Sequence, residues 1–501
     1  MANDYILVWN DVVLEANRVS HTDGSKEQNG PTLSSRAIAI VHLAIYDAYA
    51  GVVNDPTELP HYITPATPAA QGSSIQAAIG GAAFTTLATL YPSQLQFFKE
   101  KLQTHGDESN PGHAFGQRVG QAILKDRQND PLASQGNYLP SKGRGKHRAD
   151  PDNAGQGFHG PLYGMAKAFA LKKRHKLDRP PFDIPAEYKK ALRQVRAKGI
   201  KPELMGTLPE SLDDARRTAE ETLIGIYWAY DGAAGIGTPP RFYNQIVRKI
   251  AIAKANSERD NARLFAFVNA SLGDAGILAW AEKYRYEFWR PVVGIREHDL
   301  SLGPVDDGDP MLSADHISKN TDPFWLPLGA PSSNSANASV MTAQATFPFA
   351  NVQSGRVKNF TPNFPSYPSG HATFGAAALH ILRLFYGVIA GDTGPDTLLK
   401  NPDGTDIFFI SDELNDKTQD NNGTVRPLHR RKFNDGVWDM IIENGLSRIF
   451  LGVHWSFDAF AVRYDGVPNL NQNIGGVRLG LNIAEDIFSA GSKKAPKKST
   501  V

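Results

Sequence analysis

Residues 365–374 read PSYPSGHATF, and the run from His371 continues as HATFGAAALHILRLFYGVIA through residue 390. Apolar side chains at Phe374, Ala378, Ile381, Leu382 and Phe385 recur at helical spacing along one stripe. Pro368 restricts the chain just ahead, and Ser369 is a residue type that caps helix N-termini well. The pattern predicts a helix over 371–387, with Gly370 and His371 in its first turn. There the unsatisfied N–H groups and the positive end of the helix dipole point outward, ready for an anion. Taken alone, the stretch reads as an ordinary cap with an incidental histidine. Its surroundings decide.

Helical patterns dominate the chain. They predict helices at 35–50, 75–90, 93–104, 113–128, 213–230, 241–256, 258–289, 434–451 and 472–489. Alternating β-branched runs are scarce, and FFIS at 408–411 is the one short strand expected. Stretches rich in Gly, Pro, Asn and Asp lie between the helices, at 129–160, 297–368 and 388–432. Loops of that length in a compact protein usually carry function or cover a site. The expectation is an all-α protein of packed helical bundles wrapped by long ordered loops. Its regions would be a helical one at 1–200, a site-bearing bundle at 201–490 and a basic disordered tail at 491–501.

The 501 residues carry 53 basic and 52 acidic side chains, a net charge of +1, which gives no bias toward nucleic acid or membrane. There is no cysteine, so disulfides, thiolate catalysis and thiolate metal sites are excluded, while the compartment stays unknown. The N-terminal MANDYILVWNDVVLEANR is acidic, with only a five-residue apolar run, and does not resemble a signal peptide. The longest apolar candidate, 371–390, contains Arg383 and two histidines and is rejected as a membrane span. The chain reads as soluble, with a homo-oligomer possible.

Two further segments bear chemistry. In AWAEKYRYEFWRP, 279–291, Lys283 and Arg290 stand seven apart, close to two helical turns, and so are expected on one face with Trp280 and Glu287. The plain alternative is a solvated basic face with Lys283 paired to Glu287. In SRIFLGVHWSFDAF, 447–460, Arg448 ends an apolar helix and Gly452 suits its C-terminal turn. A new helical turn near His454 would place Asp458 at i+4, to hydrogen-bond one imidazole nitrogen and leave the other as nucleophile or ligand. A buried histidine merely satisfied by a carboxylate fits equally well. Together the three segments offer three cations, two histidines, a serine hydroxyl and helix-start N–H groups, which suit one tetrahedral oxyanion.

K-x6-R-P at Lys283–Pro291, P-S-G-H at Pro368–His371 and S-R-x5-H-x3-D at Ser447–Asp458, in this order, resemble the signature of the type 2 phosphatidic acid phosphatase and vanadium haloperoxidase superfamily. Intervals of 76 residues from Pro291 to Pro368 and 75 from His371 to Ser447 resemble the haloperoxidases rather than the smaller, often membrane-embedded phosphatases. The likeness extends to 227–251, to FWLPLGAP at 324–331 and to 35–50.

The resemblance implies a vanadate cofactor, with phosphate able to occupy the same place in its absence. It implies His454 as the metal ligand, with Lys283, Arg290, Ser369, Gly370 and Arg448 around the oxygens. His371 would help deprotonate hydrogen peroxide, and Lys283 would polarise the peroxide so that halide attacks it. The product is hypohalous acid, which halogenates small organic substrates. Asp231 matches an aspartate that pairs with Arg448, and otherwise reads as a turn residue before Gly232. Trp280 and Phe364 match the Trp and Phe of the family's chloroperoxidases, where algal bromoperoxidases carry Arg and His. Oxidation of chloride as well as bromide is therefore expected. The alternative is an acid phosphatase of the same superfamily, acting through a phosphohistidine at His454 with His371 protonating the leaving group.

Overall fold

The computed structural model describes residues 4–131, 135–141, 143–296, 321–337, 358–463 and 466–501. Segments 297–320 and 338–357 of the long loop expected at 297–368 lie outside the described residues. The described residues form α-helices joined by turns, with one sheet of two two-residue strands. The all-α class holds.

The axis of the fold is α9, Glu258–Tyr286, capped by Ser257, whose hydroxyl accepts from the Asp260 N–H. Acidic residues fill its first turn and Lys283 and Arg285 its last, matching the helix dipole. From Asn261 to Lys283 almost every residue is buried, as befits a helix enclosed on all sides. Against it pack α2 (Gly30–Val53) and α11 (Gly370–Phe385), and α11 packs in turn on α8 (Pro239–Ala253), α12 (Val437–Phe450) and α14 (Gly475–Ala490). Helices α3 (Ile75–Leu90) and α5 (Pro111–Asp126) buttress α2, and α4 (Leu95–His105) packs on α3. Among the described residues one apolar core runs from Ile6 to Ala495.

Both α2 and α9 are long and apolar enough to cross a bilayer. Neither is the apolar stretch at 371–390 that the sequence singles out. Their apolar faces are spent on the core, 78% and 94% buried.

The approach of α14 to α11 fixes where the PSGH turn sits. Gly480 makes it possible, because a Cβ there would lie 2.5 Å from the Thr373 carbonyl oxygen and 2.6 Å from the Ala376 Cβ. Gly480→Ala is expected to cost about 1–3 kcal/mol by overpacking. An unchanged denaturant midpoint would contradict that contact.

Several expectations need correction. Three helices were not anticipated: α1 (Tyr5–Ser20), α6 (Pro185–Lys198) and α10 (Pro291–Arg296). The helix expected at 213–230 shortens to α7, Ala219–Tyr227, because Thr218 and Glu221 close a capping box there. The strand expected at 408–411 is a single bridge, Phe409 to Arg431, while Ile407 donates its N–H to Leu399 and the Phe408 carbonyl accepts from Lys249. The sheet lies instead at β1 (Ala461–Val462) and β2 (Pro468–Asn469), antiparallel. Nor is 491–501 a free tail. Ala495 and Ser499 are buried, Ser499 donates its N–H to the Phe169 carbonyl, and Lys498 pairs with Asp126 at 2.6 Å. Small residues among the lysines let the segment lie on the body while the ammonium groups reach carboxylates.

The core also encloses a polar chain. The Asn10 amide donates to His42 Nε2 (3.0 Å) and to Asn244 Oδ1 (3.2 Å). Burial alone pushes the His42 pKa down to about 3. The unfolded imidazole takes up its proton near 6.5, so the stability contributed by neutral His42 is present above that pH and lost as pH falls toward 3. The stability difference between wild type and His42→Gln should therefore shift against wild type by about 1.4 kcal/mol per pH unit from pH 6 to 4. Urea titrations of both proteins across that range check it, and a constant difference would sink it.

Candidate active site

The site is assembled at the start of α11. Ser369 takes the cap position, its Oγ accepting from the Ala372 N–H at 3.4 Å, and its own N–H donates to the Asp458 carbonyl at 2.8 Å. The first-turn N–H groups of Gly370 and His371 lie beyond the reach of any helical carbonyl. A Cβ on Gly370 would stand 3.5 Å from the Trp280 ring, so the missing side chain leaves open space beside that indole. His371 is fixed from behind: its Nε2 lies 2.6 Å from the Ala229 carbonyl, with Asp231 Oδ1 at 3.9 Å. A carbonyl can only accept, so Nε2 carries the hydrogen and Nδ1 keeps its lone pair. Burial first, then Arg448, push the His371 pKa well down, and the ring is neutral.

The second histidine follows α12. Gly452, at φ +74°, turns the chain where a Cβ would meet the Gly199 carbonyl oxygen at 2.5 Å. The short helix α13, Ser456–Ala459, then brings Asp458 Oδ2 to 2.8 Å from His454 Nδ1. The Trp455 N–H (3.0 Å) and the Ser366 hydroxyl donate to the same oxygen. Arg290 Nη1 lies 3.0 Å from His454 Nε2. A guanidinium only donates, so Nε2 must accept and Nδ1 must carry the hydrogen. Burial pushes the His454 pKa well down, with the charges of Arg290, Lys283 and Arg448 acting the same way. The expected i+4 partner of His454 is present, and the ring's lone pair is at Nε2, where Arg290 donates.

The basic pair is built differently from the expectation. Helix α9 stops at Tyr286, and Glu287 takes the left-handed cap at φ +53°. Arg290 therefore lies outside the helix, and its relation to Lys283 is not that of two residues on one helical face. Glu287 pairs with Lys146 at 2.8 Å, not with Lys283. Pro291 opens α10. Lys283 is fully buried, its Nζ donating to the carbonyls of Pro365 (2.8 Å), Ser366 (3.0 Å) and Pro368 (2.6 Å). All three ammonium hydrogens hold the loop that leads into PSGH. The oxygen contact expected of Lys283 would need one of them exchanged.

Arg448 is 1% exposed and grips Asp231 with both terminal nitrogens, at 3.0 and 2.8 Å. Burial raises the Asp231 pKa, while Arg448 opposes it. A cavity of about 240 Å³ opens over these groups, walled by Gly370, His371, Arg448, His454 and Asp231, and by Trp280 and Phe364. Lys283, Arg290, Ser369 and Asp458 are not among its lining residues. Trp280 and Phe364 have ring centroids 4.7 Å apart, and the Lys283 ammonium lies 5.0 Å from the Phe364 ring. Both aromatics line the cavity, and Trp280 is at the same time part of the buried core, with Phe364 packed against it.

His159 was missed by the sequence reading. It lines the cavity, meets Thr32 Oγ1 at 2.9 Å, and accepts from Trp280 Nε1 (3.1 Å) and the Tyr284 hydroxyl (2.7 Å) at its carbonyl. Burial lowers its pKa to about 4. The only signal for it was the length of the loop at 129–160. Ser333 and Ser335 line the cavity too, and their only signal was likewise the length of the loop at 297–368.

Two buried donors, Arg290 Nη2 and Arg448 Nε, have no partner among the described residues. With the open first turn of α11 and the His454 Nε2 lone pair, which Arg290 Nη1 would release to a ligand, they form a donor set with one lone pair, which fits a tetrahedral oxyanion with a ligand-accepting central atom. Fold and site together define an all-α oxyanion-binding protein built around two neutral histidines.

Comparisons with known proteins narrow this. Residues 1–158 match the family model described as the vanadium chloroperoxidase N-terminal domain, and 263–467 that of the VCPO second helical-bundle domain. Vanadium chloroperoxidase of Curvularia inaequalis is 35% identical, over 98% of this chain and 91% of that protein. Among solved structures, a bacterial vanadium-dependent iodoperoxidase aligns at TM-score 0.63 and 17% identity, covering 96% of this chain and 95% of its own. A bacterial vanadium-dependent chloroperoxidase in its holo form aligns at TM-score 0.58 and 14% identity, covering 94% and 96%. The chain belongs to the vanadium-dependent haloperoxidase family. Membership makes it an enzyme of the peroxidase kind and implies vanadate as its cofactor.

Proposed function

We propose that this chain uses hydrogen peroxide to oxidise chloride and bromide to hypohalous acid, with vanadate bound at His454 Nε2. The observation that carries the reading is the tautomer of His454. Asp458 takes the Nδ1 hydrogen, and the remaining lone pair, to which Arg290 Nη1 donates, is the one that would pass to vanadium, with Arg290 Nη2 and Arg448 Nε unpartnered among the described residues. Arg290 Nη2, Arg448 Nε and the N–H groups of Gly370 and His371 would hold the vanadate oxygens, with the Ser369 hydroxyl beside them. Bound vanadate supplies a Lewis-acidic centre at which hydrogen peroxide is made electrophilic toward halide.

The chain's own residues do the rest. His371 Nδ1, neutral and anchored through Nε2, takes a proton from the incoming peroxide. Lys283 contributes buried positive charge and, by exchanging one carbonyl, a hydrogen bond. Trp280 and Phe364 keep water from the halide position.

The halide range rests on that aromatic wall. Chloride is harder to oxidise than bromide and needs a drier pocket. Steady-state halogenation with each halide at mildly acidic pH is expected to proceed with both, and Phe364→His to shift preference toward bromide. Wild-type protein that oxidises bromide or iodide but never chloride would overturn the halide assignment while leaving the peroxidase.

A further inference from the structure

The cavity reaches solvent at the loop between α1 and α2. Of its described lining residues only Lys26 and Asn29 are exposed, and both lie on that loop. The loop is fastened at either end. His21 Nδ1 meets the Asn17 carbonyl at 2.7 Å, and its Nε2 accepts from the Gly30 N–H at 3.2 Å. The Gln28 carbonyl accepts from the Ser34 hydroxyl at 3.0 Å, and the Gln28 amide donates to the Leu90 carbonyl at 3.2 Å. Lys26 and Gln28 take the left-handed region, at φ +56° and +48°, where residues other than glycine are seldom found. Such a conformation persists only where the surroundings hold it, so the backbone that presents Lys26 is fixed.

Charge at this rim is one-sided. The acids on either side of Lys26 are turned to other partners. Asp23 Oδ1 accepts from the Ser25 N–H at 2.9 Å, and the Glu27 carboxylate takes the Ser93 N–H (2.9 Å) and hydroxyl (2.6 Å). Neither acid lines the cavity, and Lys26 has no ion pair among the described residues. Deeper in, the charges of Asp231 and Arg448 cancel in their bidentate pair. His21 is neutral, since an imidazole that accepts at Nε2 keeps a lone pair there. Lys26 therefore carries the one uncompensated charge among the described lining residues.

We propose that Lys26 is an anion-entry residue, whose ammonium draws halide, and vanadate during loading, into the cavity. The inference rests on the peroxidase reading above. An exposed charge acts over about 8 Å at physiological ionic strength, and walls of low dielectric focus its field along a cleft. Trp280, Phe364 and Pro362 supply such walls here. The effect is on the local concentration of anions, without contact with the reacting atoms. It falls on kcat/KM for the anion and leaves the chemical step alone. Hydrogen peroxide and hypohalous acid are uncharged, so one enters and the other leaves without hindrance from the same rim. Each turnover thus takes in an anion and releases a neutral product, which the lysine does not hold back.

The test compares vanadate-loaded wild type with Lys26→Gln, Lys26→Glu and Lys26→Arg, varying bromide and peroxide separately. At an ionic strength of about 10 mM, kcat/KM for bromide should fall about threefold in Lys26→Gln and about tenfold in Lys26→Glu. Lys26→Arg keeps the charge and should stay within about twofold of wild type. The kcat at saturating bromide and kcat/KM for peroxide should not change in any variant. Sodium methanesulfonate at about 0.5 M contracts the field to a few ångström and should close most of the gap. A second measurement needs no catalysis. Vanadate-free proteins are mixed with vanadate, and separately with phosphate, and uptake is followed by rapid desalting. Both anions should enter Lys26→Glu about tenfold more slowly than wild type. Bromide and peroxide terms that fall together, or a deficit that salt does not close, would show that Lys26 shapes the rim without charging it, and overturn the proposal. An unchanged kcat/KM for bromide in Lys26→Glu overturns it outright. Wild type without bromide-dependent peroxide consumption overturns the peroxidase reading instead, and the two uptake rates then decide the role of Lys26 by themselves.

Discussion

Vanadate-dependent halogenation falls by about three orders of magnitude or more when His454 becomes alanine, the scale seen when one member of a catalytic unit is removed. The argument is local. His454 Nε2 is the imidazole lone pair that Asp458 frees by taking the Nδ1 hydrogen at 2.8 Å, and no cysteine exists to substitute for it. The surrounding donors can still hold an oxyanion, so the variant should retain weak, exchangeable vanadate and lose turnover. Among the described residues no cluster of three His, Cys, Asp or Glu offers a second place for a metal. His371→Ala should behave differently, with turnover impaired more than vanadate affinity, because that ring serves proton transfer. Calorimetric vanadate titration beside steady-state bromination separates the two variants. Activity of His454→Ala within tenfold of wild type would sink the ligand assignment.

The second large effect is on stability. Asp231→Ala strips a bidentate partner from Arg448, which is 1% exposed. Removing one side of a buried ion pair leaves the other charge without compensation, at a cost of about 3–5 kcal/mol. The pocket itself can supply the remedy. A bound phosphate or vanadate brings negative charge to the stranded guanidinium, so either anion should raise the unfolding temperature of Asp231→Ala more than that of wild type. Asp231→Asn, which keeps a hydrogen-bond acceptor, should lie between. Thermal unfolding with and without phosphate tests this, and equal anion shifts in wild type and Asp231→Ala would show that Arg448 does not face the anion.

Much of this site was legible because helix starts obey local rules. Pro368, Ser369, Gly370 and His371 announce a capped first turn, and Ser369 does cap it through the Ala372 N–H. The i+4 relation of His454 to Asp458 was legible for the same reason. The face shared by Lys283 and Arg290 was not, because helical spacing assumes a continuing helix, and Glu287 ends this one in the left-handed region. What brings Arg290 to His454 is a turn, whose path depends on contacts far away in the chain. His159 shows the limit most clearly: it stands 121 residues from Trp280 and joins it through a backbone carbonyl, a relation that no periodicity encodes. The ordered C-terminal segment escaped for a related reason, since composition reports charge and not the surface that receives it.

The fastening of Lys283 to the carbonyls of Pro365, Ser366 and Pro368 has a consequence for how this sequence can drift. A lysine on one helix dictates the shape of a loop more than eighty positions away, and that loop sets the angle at which the PSGH turn is presented. Neither partner can be exchanged alone. Arginine at 283 would keep the charge but present a flat fork where three converging carbonyls ask for a compact ammonium. Mutational walks through this neighbourhood must therefore pass through paired changes, and transplanting the PSGH loop into another helical scaffold would fail unless its lysine travelled with it.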